Sequence, residues 1–305
     1  MGEKAAAARP GTLRLVIERY KSHPSFQGLA PRTRSDYDKV FDYLKPIGDT
    51  PLARFTPPLV INIRDKAAEQ KGRRFANYVR TVIALTFAWS VERGFMESNP
   101  AFRLKSIKRP KDAPQANRPW ADDERDVVSR ALPAHMRLPV ALMMYCALDP
   151  QDAVQAPRKV IQGGKIDMRR GKTGEPAWFN LPDAVVQVLK DSPTHNAITL
   201  CANSYGRPWT VSGFRASWRP IRQKLEKAQL VRPGLTLKGL RHTVATILAE
   251  MGYDERTIAD MLAQKTIEMA RHYSSRADKS QKMNAVVKKF DKEMNRRRTK
   301  VVKPV

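Results

Sequence analysis

The sequence predicts a mainly helical protein of two domains, the second of which carries one small antiparallel sheet. Three observations predict it. Apolar residues recur at helical spacing through most of the chain. A basic, proline-bearing stretch without apolar periodicity interrupts them at residues 103–118. Only two segments, on either side of Gly171-Lys172-Thr173-Gly174, read as strands of a hairpin.

After a polar tail at residues 1–11, the segment 12–102 reads as helices and turns. Leu13, Val16 and Tyr20 form a first stripe that Pro24 stops. Tyr37, Val40, Phe41 and Leu44 form a second, and Val79, Ile83, Phe87 and Val91 a third that ends at Gly94. Arg32, Arg34, Lys39, Lys71, Arg73, Arg74 and Arg80 lie on or between these helices and together suit a surface that tracks phosphates. Residues 103–118, RLKSIKRPKDAPQANR, then read as a basic linker, with Lys105, Lys108, Arg109 and Lys111 as further phosphate contacts.

Residues 119–290 make the second domain. Asp122-Asp123-Glu124 supply first-turn acids to the first of two helices over 121–147. Strands are expected over 163–170 and 176–181. Leu237, Leu240, Val244, Ile247, Leu248 and Met251 give one face of a helix that Gly252 terminates, with Lys238 and Arg241 together on another face. Asp254 offers an N-cap to the next helix, and Thr266 to a third that ends near Tyr273. Met283, Val286, Val287, Phe290 and Met294 form a last amphipathic stripe, apolar on one face and basic elsewhere, before a basic tail at 291–305 in which Arg296-Arg297-Arg298 reads as disordered.

Composition narrows the function. The chain has 305 residues, 56 Lys and Arg against 30 Asp and Glu, a net charge of +26 and a pI near 10.4. Such an excess on a folded chain calls for a polyanionic partner, and nucleic acid is the first candidate. The apolar runs are far too short to span a membrane, and no signal-peptide core opens the chain, so a cytoplasmic, nucleoid-associated protein is expected. Cys146 and Cys201 read as two reduced thiols. No His, Cys or carboxylate cluster has metal-ligand spacing and no glycine loop suits a nucleotide phosphate, so chemistry without metal or nucleotide cofactor is expected.

Leu240-Arg241-His242-Thr243, Leu262-Ala263-Gln264-Lys265 and Met269-Ala270-Arg271-His272-Tyr273, at these separations, resemble the active-site segment of the tyrosine recombinases, the phage-integrase family. The resemblance implies a SAM-like helical core-binding domain ahead of an α-rich catalytic domain with a small sheet. It also implies duplex DNA as partner, held in a C-shaped clamp, with self-association to a tetramer on DNA. Accessory bending or directionality factors, and docking of the last amphipathic helix on a neighbouring protomer, belong to the same picture. It places Tyr273 as the nucleophile that forms a 3′-phosphotyrosine and Arg241 as a phosphate clamp. Lys172 becomes the general acid, and His242 a brace beside the clamp. Tyrosine is a weak nucleophile at a pKa near 10, so cations must stabilise the phosphate and a proton must reach the leaving 5′-oxygen.

The chain departs from the family pattern at three positions. Lys238 stands where the family has His, and Gln264 where it has His or Trp; both still donate hydrogen bonds. Asp149, in Tyr145-Cys146-Ala147-Leu148-Asp149-Pro150-Gln151-Asp152, stands where the family has its first clamping Arg. Asp149 suits an N-cap ahead of Pro150, with Asp152 in the first turn, and Arg158 is the candidate to supply the missing guanidinium. A site-specific recombinase or integrase of a mobile element is the reading that results; a catalytically weakened DNA-binding accessory protein of the same fold is the alternative.

Overall fold

The computed structural model describes residues 9–114, 116–274, 277, 278 and 280–301. The chain divides into two compact units, residues 1–113 and 114–305.

The first unit is helical. It holds α1 (Leu13–Ser22), α2 (Pro24–Gln27), α3 (Pro31–Leu44), α4 (Pro57–Lys71) and α5 (Arg73–Glu92). Thr12 and Thr56 start α1 and α4 by accepting the backbone N–H of Leu15 and Leu59. The stripes expected from sequence form the core: Leu13, Val16 and Tyr20, then Tyr37, Val40, Phe41 and Leu44, then Val79, Ile83 and Phe87 are buried. Tyr20 meets Phe26 and Trp89 edge-on at 5.6 and 5.4 Å between ring centroids, a favoured arrangement for aromatic rings.

The stretch read as a linker is anchored at both ends. Arg80 Nη1 donates to Leu104 O at 2.6 Å, Arg64 Nη1 to Lys105 O at 2.6 Å, and Asn77 Nδ2 to Ile107 O at 3.0 Å, where Arg73 Nη1 also donates. An extended chain leaves its carbonyls without ladder partners, and half-buried arginines supply the donors. At the other end Arg118 makes a two-nitrogen pair with Glu124, each bond 2.7 Å. Glu124 is buried and also accepts the backbone N–H of Ala121 and of Arg232. Burial alone pushes its carboxyl up; Arg118 and the other donors outweigh that and hold it down at about 2.

The second unit runs through α6 (Asp122–Ala131), α7 (Ala134–Tyr145), α8 (Pro150–Gln155), β1 (Ile161–Gln162), β2 (Lys165–Arg169), β3 (Pro176–Asn180), α9 (Asp183–Lys190), α10 (Val211–Lys227), α11 (Leu237–Glu250), α12 (Glu255–Met261), α13 (Ile267–Ser274) and α14 (Ser280–Val301). The sheet is antiparallel in the order β1-β2-β3, with Ile166 opposite both Ile161 and Phe179. Its third strand, β1, was not expected: two residues joined to β2 through Gly163 and Gly164, both at positive φ, are too short to show a period. Leu237 and Leu240 of α11 join the main core with Trp120, Leu142, Leu148 and Ile166. Val244, Ala245 and Ala249 of the same helix join a smaller cluster with Ala147, Ile258, Leu262 and Ala270. Arg241 therefore sits at the seam between two apolar clusters.

Two local expectations need correction. The segment containing Arg296-Arg297 is helical, as part of α14, because Glu293 pairs with Arg296 and Arg297 at 2.6 and 3.0 Å across one turn. Asp149 does occupy the N-cap position of α8, but its side chain makes no capping hydrogen bond. Cys146 and Cys201 are both buried, and burial pushes each thiol up to about 12, which leaves them without thiolate character.

Candidate active site

The site is built on two helix ends that turn the same way. Helix α7 runs into Ala147 at φ +50° and α12 into Ala263 at φ +46°, both in the left-handed region where a Cβ is costly. At the second of these the Ala263 N–H reaches Asp260 O and the Gln264 N–H reaches Ala259 O, both at 2.9 Å, a complete Schellman closure with alanine at the glycine position. The carbonyls of Ala147 and Leu262 are left over at these two ends, and arginines take them.

Arg241, buried on α11, donates Nη1 to Ala147 O at 2.7 Å and Nη2 to Leu262 O at 2.6 Å. Its guanidinium is thus fixed by two well-made bonds that tie α11 to the ends of α7 and α12. Asp149 Oδ2 stands 4.0 Å from Arg241 Nη1, too far for a hydrogen bond and near enough to pair electrostatically. Asp149 therefore faces Arg241.

The hairpin is fixed to the same place. Asp152 Oδ1 accepts the Gly171 N–H at 3.0 Å, and Asp152 Oδ2 lies 3.6 Å from Arg170 Nη1. A Cβ on residue 171 would stand 3.1 Å from Asp152 Oδ1, so glycine permits the approach. The Arg170 N–H bonds Glu175 O and the Gly174 N–H bonds Arg170 O, closing the turn that presents an exposed Lys172. Arg170 itself turns inward, 3% exposed, and its Nη2 donates to Leu262 O at 3.0 Å and Ala147 O at 3.3 Å. It shares both of Arg241's acceptors.

The other expected residues are distributed as follows. Gln264 is buried next to the Leu262 turn, with neither amide atom hydrogen-bonded. His242 is half-buried on α11. Lys238 does not accompany Arg241 into the seam: it is exposed and lines a cleft of about 330 Å³ together with Pro150 and Arg215, Arg219 and Arg222 of α10. Those three arginines, at i, i+4 and i+7, were a readable stripe that sequence reasoning passed over. The backbone of residue 273 lies on α13, whereas the Tyr273 side chain falls outside the described residues. Arg158 is corrected: its Nε donates to Ala197 O at 2.7 Å and its Nη2 to His195, so the 195–197 loop holds it. The second guanidinium beside Arg241 belongs to Arg170.

In the first unit several expected phosphate contacts are otherwise engaged. Arg73 and Arg80 hold the 104–107 backbone, as described above. Arg32 pairs with Asp36 at 2.9 Å, Arg34 donates to Gln27, and the Lys71 ammonium lies over the rings of Tyr43 and Phe75. Arg74, Lys105, Lys108, Arg109 and Lys111 are exposed.

The profile of the phage integrase family matches residues 122–280, more than half of the chain and all of the elements that build this site. The chain belongs to the phage integrase family. The family's members are tyrosine-type site-specific recombinases. Among curated relatives, the tyrosine recombinase XerC of Mycobacterium sp. (strain KMS) is 30% identical over 223 residues, covering 64% of this chain and 70% of that protein. The integrase of Mycobacterium phage FRAT1 is 26% identical over 299 residues, covering 89% of this chain and 86% of that one. Among solved structures, a lambda integrase dimer bound to a COC′ core site superposes with a TM-score of 0.73 at 17% identity, over 88% of this chain and 96% of that one, a likeness of fold. Among the described residues no helix is long and apolar enough to cross a membrane.

Proposed function

We propose that this recombinase binds duplex DNA and cuts and rejoins it at specific sites through a covalent 3′-phosphotyrosine, as an integrase of a mobile element does. In the forward step the Tyr273 oxygen attacks phosphorus, the P–O5′ bond breaks, and the departing 5′-oxygen takes a proton from Lys172. Arg241 steadies the charge on the non-bridging oxygens, and the Gln264 amide donates beside it. A 5′-hydroxyl from another strand then reverses the step and frees the tyrosine. One phosphoester replaces another, so no external energy source enters.

The observation that carries this reading is the convergence on one pair of helix-end carbonyls of Arg241 and the Asp152-locked hairpin that bears Lys172. Donors fixed in this way need no rearrangement when charge develops, which is where electrostatic catalysis draws its strength. The net charge of +26 supports a duplex as substrate, and the cleft with Lys238, Arg215 and Arg219 supports backbone contacts from the second unit.

Self-association is part of the proposal. Met283, Val286, Val287, Phe290 and Met294 of α14 are each between 44 and 60% exposed, so this apolar face lacks a cover within the described residues. A second copy of the chain is the occupant proposed, since a fold-related lambda integrase is a dimer on its core site. The experiment is covalent trapping on a duplex nicked close to the scissile phosphate, so that the released fragment diffuses away. Wild type is expected to form a complex that resists denaturant, and Tyr273→Phe to form none while binding the same duplex with unchanged affinity. A wild-type chain that binds but never attaches would favour the accessory-protein reading, to which Asp149 beside Arg241 lends its support.

A further inference from the structure

We propose that Arg170 is the second guanidinium of the phosphate site, delivered from the hairpin in place of the arginine that position 149 does not carry. The proposal rests on the recombinase reading above and assigns one more donor to that reaction. Three observations lead to it.

Arg170 and Arg241 are side by side, since both donate to Ala147 O and Leu262 O. Two like charges packed together in a buried seam are unfavourable, and a residue whose only task was to fill the space at the end of β2 would be better apolar. The nearby carboxylates do not saturate the pair. Asp152 Oδ2 is 3.6 Å from Arg170 Nη1, and Asp149 Oδ2 is 4.0 Å from Arg241 Nη1.

Arg170 also has donors to spare. Its side chain is only 3% exposed, yet Nε and Nη1 have no hydrogen-bond acceptor. The Gln264 amide, two residues beyond the shared Leu262 carbonyl, is likewise buried with nitrogen and oxygen both unmet. Buried polar groups left without partners are costly, and an anion with oxygens to accept from them would relieve that cost.

The third observation is how Arg170 is held. One carboxylate, Asp152, binds the Gly171 N–H and lies beside Arg170, so the same clasp that fixes the Lys172 turn fixes the guanidinium two residues before it. Proton donor and phosphate clamp then arrive on a single rigid hairpin. Burial, and next the charge of Arg241, pull Arg170 down to about 10, which leaves it cationic at neutral pH.

The test uses the full chain and the nicked duplex in two forms, one with the normal scissile phosphate and one with a neutral methylphosphonate there. Arg170→Met is expected to cut covalent attachment to the phosphate duplex by about 10²- to 10³-fold. On the neutral duplex its deficit should shrink to a few-fold, because no oxygen charge remains to be met. Arg170→Lys, which keeps a cation and so guards against a simple folding failure, should lose at least about tenfold on the phosphate duplex, since an ammonium lacks the fork of donors. Adding Asp149→Arg to Arg170→Met should restore most of the lost attachment. Arg170→Met cleaving like wild type, a deficit equal on both duplexes, or no restoration by Asp149→Arg would overturn the assignment while leaving the recombinase reading intact. Absence of attachment by wild type itself would end both.

Discussion

Arginines in both units spend themselves on backbone carbonyls, but they do so in different ways. In the first unit Arg64 and Arg80 reach separate carbonyls at Lys105 and Leu104, and Arg73 and Asn77 meet at Ile107, so the charge is spread along a half-exposed strap. In the second unit Arg170 and Arg241 crowd onto the same two carbonyls inside a closed seam. The spread set clasps a segment of chain. The crowded set concentrates positive charge where there is little water to screen it, an arrangement that stability alone does not favour and that a phosphodiester anion would relieve.

Replacing the crowded arginines should alter chemistry far more than the spread ones. Arg241→Met is expected to lower covalent attachment by about 10²- to 10³-fold. Its cost in stability should be modest, about 1–3 kcal/mol, because Arg170 Nη2 still reaches both vacated carbonyls. Trapping yield beside thermal denaturation of the same variant separates the two effects, and a variant that unfolds before it loses attachment would erase the distinction drawn between the sets.

A third arginine cluster sharpens the comparison, because here a buried carboxylate makes direct hydrogen bonds to the guanidiniums. Glu124, tied to Arg118 and Arg232, has its carboxyl held at about 2 against an ordinary 4.5. Above about pH 4.5 this stabilisation is present in full. As pH falls from there toward 2 the unfolded chain takes up the proton first, so the second unit should lose stability across that window. Glu124→Ala should remove roughly 3 kcal/mol at neutral pH, by leaving two arginines without their partner, and should flatten the acid limb of a chemical-denaturation series. An unchanged acid limb would show that the cluster is not a linkage site.

In the strap, Arg80→Met should cost only about 1 kcal/mol of first-unit stability, read by hydrogen exchange at residues 104–107, with the rate of phosphate attack on a pre-bound duplex unaltered. Smallest of all, Ala263→Gly relieves a left-handed alanine and should raise stability by about 0.5 kcal/mol, after the greater unfolded-state freedom of glycine is set against it. A loss of stability there would mean that the Ala263 methyl packs more than its backbone strains.

Much of this was open to reading in the sequence. The helical stripes were legible because a buried face repeats every three or four residues, and the helices that carry Arg241 and position 273 were legible in the same way. The hairpin was legible from its glycines. What escaped was set by tertiary packing. Arg158 is the nearest arginine after position 149 in sequence, yet the backbone carries it to the 195–197 loop. Arg170 had a signal that went unused: strand alternation puts Ile166 and Met168 inward, and the next position in that register is 170. A cation at an inward strand position is rare enough to mark a site. The strap role of Arg73 and Arg80 had no such signal, because nothing in a basic stripe distinguishes a phosphate acceptor from a carbonyl of the chain itself.

The side chain that becomes bonded to DNA decides the mechanism. The direct measurement is to trap the wild-type chain on the nicked duplex, digest protein and DNA, and identify the nucleotide-bearing peptide by mass spectrometry. The account predicts a 3′-phosphate ester on Tyr273 alone. A nucleotide on another tyrosine, such as the exposed Tyr253 between α11 and α12, or a cut duplex with no adduct on the protein, would contradict it.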